Sequence, residues 1–135
     1  MPYLRHYTKI LDDDTPGNVD VVGNAHTVVP SDHDDIDDEH QQWHCFVIVS
    51  QANGVTSPTT DVIVETSFDG GTNWARVGSA TQLTADGSET ELIELKAVGP
   101  RLRARKQLGG GTKPDSTAVV YLASNGLVNV TDTGA

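Results

Sequence analysis

The sequence predicts an all-β fold, an antiparallel sandwich of jelly-roll type with an N-terminal arm. Short runs rich in Val, Ile and Thr recur along the chain, turn formers separate them at spacings of roughly 8–12 residues, and helical periodicity is almost absent. A chain of 135 residues suits one domain. The expected organisation is an arm over residues 1–18, a sandwich over 19–130 and a flexible tail over 131–135.

The elements follow in order. Val19-Asp20-Val21-Val22 and His26-Thr27-Val28-Val29 are β-branched runs, stopped by Gly23-Asn24 and Pro30-Ser31. Trp43 to Ser50 is apolar on both faces, the pattern of a central sandwich strand. Asp61 to Phe68 alternates, placing Val62, Val64, Thr66 and Phe68 on one side. The turn Asp69-Gly70-Gly71-Thr72-Asn73 returns the chain through Trp74-Ala75-Arg76-Val77. Further strands are expected over 90–98, 101–108, 117–123 and 127–130, with Gly109-Gly110-Gly111 as the loop of a last hairpin. The arm carries Tyr3, Leu4, Tyr7, Ile10 and Leu11, enough apolar surface to dock on a partner.

Charge is polarised. The formal net charge is -10, which argues against nucleic acid as a partner. No Lys or Arg lies between Lys9 and Arg76, whereas Lys96 to Lys113 is basic and holds no acid. Within that basic stretch, alternation sets Arg101, Arg103 and Arg105 on one face and Leu102 and Ala104 on the other, which makes the arginines either an exposed sheet surface that discourages edge pairing or a docking stripe for carboxylates. No apolar run reaches the roughly 18 residues of a membrane span, and Met1 to His6 lacks the apolar middle of a signal peptide, so cytosolic synthesis is expected. The single Cys45 lies in an apolar strand that should raise its pKa and keep it inert.

Chemistry-bearing motifs are sparse. The acidic segment 32–40 makes Asp32, Asp34, Asp35 and Asp37 the metal candidates, but it departs from the EF-hand pattern and its two histidines match no familiar zinc spacing. A solvated acidic loop, with no metal, is the expectation there. Gly109-Gly110-Gly111-Thr112-Lys113 lacks phosphate-loop spacing, and no serine sits in G-x-S-x-G. Neither a catalytic site nor a cofactor is expected.

Ser67-Phe68-Asp69-Gly70-Gly71-Thr72-Asn73-Trp74 resembles the Asp-box, S-x-D-x-G-x-x-W, a hairpin signature of sialidases and other β proteins. In those families the box is structural: Ser67 and Asp69 would bond turn amides and Trp74 would cover the hairpin base. More broadly, residues 43–130 resemble the small β-sandwich virion proteins of tailed bacteriophages, through the apolar strand at Trp43, the run Val62 to Trp74, the Arg101-Leu102-Arg103-Ala104-Arg105 strand and Thr117-Ala118-Val119-Val120-Tyr121-Leu122. That resemblance implies a virion structural protein made in the host cytoplasm. The favoured role is a capsid decoration (cement) protein that binds the major capsid protein as a symmetric homo-oligomer, a trimer among the options, through Tyr3, Leu4, Tyr7, Arg101, Arg103 and Arg105. A head-to-tail adaptor or tail protein is the alternative within this class. A carbohydrate-binding module stacking sugar on Trp43 or Trp74 is the alternative outside it.

Overall fold

A computed structural model of the chain describes residues 4, 6–30, 41–126 and 128–135. Among these residues the secondary structure is β throughout: β1 (His6–Gly17), β2 (Val21–Val22), β3 (His26–Pro30), β4 (Trp43–Ala52), β5 (Thr59–Ser67), β6 (Ala75–Ser79), β7 (Gly87–Glu94), β8 (Arg101–Gly109), β9 (Asp115–Ser124) and β10 (Val128–Asp132). The first sheet runs β1-β9-β4-β7, and the second runs β10-β3-β8-β5-β6 with β2 also on β8. All ladders are antiparallel. The expected sandwich is therefore the observed one.

The topology is that of a jelly roll. A ribbon closed at the turn between β5 and β6 pairs β5 with β6, β4 with β7, β2 and β3 with β8, and β1 with β9. Rolling that ribbon brings β9 against β4 and β8 against β5, which completes the two sheets. The pairing nearest in sequence sits at the closed end, and the most distant joins the two ends of the chain.

Strand alternation decides what is buried. Cys45, Val47 and Val49 on β4 and Ala118, Val120 and Leu122 on β9 face inward from the first sheet. They meet Val62 and Val64 on β5 and Leu102 and Ala104 on β8 from the second. Full burial of a Val or Leu here contributes about 1.5–3 kcal/mol of transfer free energy. The Cys45 thiol lies in this core, and burial pushes its pKa up to about 12.

Several sequence expectations change in the folded chain. Residues 6–17 of the expected arm form edge strand β1, and a register shift between Lys9 and Leu11 lets the consecutive Ile10 and Leu11 both enter the core. The chain end is held as well: Thr133 N donates to Ala25 O at 3.0 Å and Ala25 N to Ala135 O at 2.8 Å. Gly109 to Gly111 closes no hairpin, because β8 and β9 belong to different sheets; the loop crosses the sandwich. Gly110 has φ 110, and a Cβ there would lie 2.6 Å from Ser57 O, so glycine is required at that crossing. Phe68 does not continue the inward row of Val62, Val64 and Thr66; β5 ends at Ser67, and the ring is 74% exposed over Gly99.

Candidate docking faces

Because Cys45, Val47 and Val49 point inward, Phe46 and Ile48 must point outward from the first sheet. Register aligns Phe46 with Leu92 on β7 and Tyr121 on β9, and Tyr121 with Lys9 on β1. Ile48 sits opposite Val119, and Tyr7 opposite Ala123. The outward side of this sheet thus carries apolar side chains on all four strands, where an antiparallel sheet facing water ordinarily carries polar ones. Tyr7 is 71% exposed, Leu92 54%, Phe46 40% and Ile48 38%.

These side chains form a shaped surface. The Tyr7 and Tyr121 rings meet edge-on with centroids 6.2 Å apart, and Phe46 lies 6.3 Å from Tyr121. Lys9 Nζ sits 5.5 Å from the Tyr121 centroid and 3.6 Å from Asp12 Oδ2, which together raise the Lys9 pKa, Asp12 contributing most. A groove of about 420 Å³ runs between Leu4, Tyr7, Phe46, Ile48, Leu92 and Tyr121. Apolar side chains exposed side by side in this way form a surface that a partner could cover.

The outward side of the second sheet is built differently. Leu102, Ala104, Lys106 and Leu108 face in, so Arg101, Arg103 and Arg105 face out as the alternation requires. Arg103 Nε donates to Glu65 Oε1 at 3.0 Å, and Arg105 Nε lies 3.2 Å from the same oxygen. The Arg103 guanidinium also stacks 4.2 Å from the Trp74 ring. Two of the three arginines in the expected docking stripe therefore have a partner within their own sheet. Arg101 has no ion-pair partner among the described residues, and it lines a groove of about 440 Å³ with Arg103 and Trp74.

Trp74 is held by the turn it follows. Ser67 Oγ accepts from Gly71 N at 2.9 Å, and Asp69 Oδ1 accepts from Thr72 N at 3.1 Å and Asn73 N at 2.9 Å. Asn73 Nδ2 donates to Asp69 Oδ2 at 2.6 Å, and Trp74 Nε1 to Gly71 O at 3.0 Å. Gly70 and Gly71 supply φ values of 75 and 94. The Asn73 bonds, then that from Ser67, hold the Asp69 carboxyl down at about 2. Trp43, the other candidate sugar platform, packs against the core.

Of the sequence-predicted contacts, Leu4 and Tyr7 join the apolar groove of the first sheet, Arg101, Arg103 and Arg105 lie on the second, and Tyr3 falls outside the described residues. The two sets do not converge on one site. Asp32, Asp34, Asp35 and Asp37 also fall outside the described residues; among the described ones no group of three or more His, Cys, Asp or Glu is placed to hold a metal. Phe46, Ile48, Leu92 and Tyr121 join this face without a motif of their own; the two-faced apolar run at Trp43 to Ser50 is the sequence signal that points to it. Comparison with protein-family models and with curated proteins finds no match.

Proposed function

We propose that this chain is a virion structural protein of a tailed bacteriophage, a capsid decoration protein that binds the major capsid protein through the outward face of its first sheet. The observation that carries the docking reading is the row Leu92, Phe46, Tyr121 with Tyr7 beside it, exposed on the side of the sheet away from the core. Covering that row with a partner removes apolar surface from water at roughly 25 cal/mol per Å². The virion assignment is supported by the resemblance of residues 43–130 and by the jelly-roll topology, which recurs among capsid proteins. Assembly as a symmetric oligomer on a local capsid axis would multiply the attachment by presenting several faces at once. Such an oligomer would use other surfaces for its own contacts.

The test is binding of purified protein to undecorated shells assembled from the major capsid protein of the same genome. The expected result is saturable binding that Leu92→Asp and Tyr7→Ala weaken. No saturable binding to shells, with binding to purified neck or tail assemblies, would move the protein to the adaptor or tail position. Binding untouched by both substitutions would remove the face from the reading.

A further inference from the structure

We infer that the outward face of the first sheet receives a partner whose apolar patch is ringed by Lys and Arg, in preference to a second copy of this chain; the inference rests on the docking reading above. The sheet that bears the patch is acidic. Strands β1, β4, β7 and β9 together hold one Lys or Arg, Lys9, against seven acids: Asp12, Asp13, Asp14, Glu89, Glu91, Glu94 and Asp115. Lys9 is already drawn to Asp12, Asp13 is turned inward onto Lys106, and register puts Glu89 and Glu91 on the inward side with Val49 and Val47, which leaves Asp12, Asp14, Glu94 and Asp115 on the outward side. By alternation, Glu94 on β7 stands outward beyond Leu92 at one edge, and Asp12 and Asp14 stand outward on β1 at the other; all three are exposed. The patch is an apolar strip between two acidic margins.

A two-fold contact between copies would set acidic margins against acidic margins, since an isologous interface brings the same surface to both sides. Like charges so placed cost free energy and slow the encounter. A partner with basic margins gains on both counts, because opposite potentials steer approach and the apolar centres then exclude water.

Two probes separate these cases: an amphipathic Leu/Lys helical peptide of about 14 residues and a Leu/Glu peptide of the same apolar pattern. The Leu/Lys peptide is expected to saturate the intact protein at one per chain and the Leu/Glu peptide to bind far more weakly, as read by fluorescence anisotropy. Leu92→Asp should weaken Leu/Lys binding about tenfold although it adds negative charge, the loss expected of a central apolar contact. Asp12→Lys combined with Glu94→Lys should weaken it about fivefold and improve Leu/Glu binding. The sedimentation coefficient of the free chain should not change on Leu92→Asp. These residues point away from the core, and unchanged urea midpoints would establish that the variants fold.

Leu/Lys binding that Leu92→Asp leaves intact would mean adsorption to an acidic surface and would overturn the inference. An oligomer that Leu92→Asp dissociates would overturn it in favour of a second copy. Equal binding of both peptides would also overturn it. If shells bind through this face while the peptides show no charge preference, the docking reading stands and the partner chemistry falls. If the peptides behave as expected and shells do not bind, the reverse holds.

Discussion

The Lys106 ammonium, on a side chain with no exposure, rests on the Asp13 carboxylate and donates to Ser116 O at 2.9 Å. Lys106 belongs to the second sheet, Asp13 and Ser116 to the first, so the contact ties β8 to β1 and β9 through the interior. Either charge left without the other in that position would be strongly disfavoured.

Lys106→Met should therefore lower stability by about 3 kcal/mol, the low end for breaking a buried pair because Asp13 keeps 17% exposure. Adding Asp13→Leu should recover most of the loss, since an apolar pair leaves no uncompensated charge. Urea unfolding of the two single variants and the double variant measures this; additive losses would show that the residues are not coupled.

Asp69 makes the hairpin turn pH-sensitive. Its carboxyl titrates at about 2 in the folded chain against an ordinary 3.8, so its stabilising contribution is complete above the ordinary value and is lost as pH falls through about 2. The difference in urea midpoint between the natural chain and Asp69→Asn should be constant from pH 7 to about 5 and shrink below pH 4. A difference that does not change with pH would assign the turn bonds no dependence on the ionised carboxylate.

The same turn should set folding speed. It closes the most local pairing, β5 with β6, whereas β1 meets β9 across nearly the whole chain. Asp69→Ala should slow refolding, and Leu11→Ala, which empties a core position on β1, should chiefly speed unfolding. Stopped-flow chevrons of the two variants give the comparison; the opposite pattern would put the nucleus at the chain ends.

Cys45 should resist thiol reagents in the native protein. With burial holding its pKa at about 12, almost no thiolate forms at pH 8, and the thiol has no exposure. Labelling by a disulfide reagent should proceed at the rate of global unfolding and rise with urea accordingly. Faster labelling at zero urea would reveal local opening of β4.

Glu65 is the carboxylate on which the arginine row depends. Glu65→Ala should cost about 2 kcal/mol, the range for hydrogen bonds to charged groups, and should loosen Arg103 from Trp74. Urea unfolding and Trp74 emission in a Trp43→Phe background report the two effects; unchanged emission would mean that the stacking does not need Glu65.

The antiparallel sandwich, the place of most strands and the side of β8 that carries the arginines were all legible in the amino-acid pattern. That pattern also foretold the turn at Asp69 and the inert environment of Cys45. Those features rest on period-two alternation and on turn chemistry, which act between residues a few positions apart. Only the assembled sheets reveal that residues 6–17 pair with β9, that Gly109 to Gly111 crosses between sheets and that Lys106 lies inside beside Asp13. The same assembly leaves the second apolar side of β4 facing outward. Each of these depends on which distant strand becomes a neighbour. An apolar residue on either side of a strand looks the same in sequence whether another layer covers it or water does, so the exposed row through Phe46 emerged only once the two sheets were assembled.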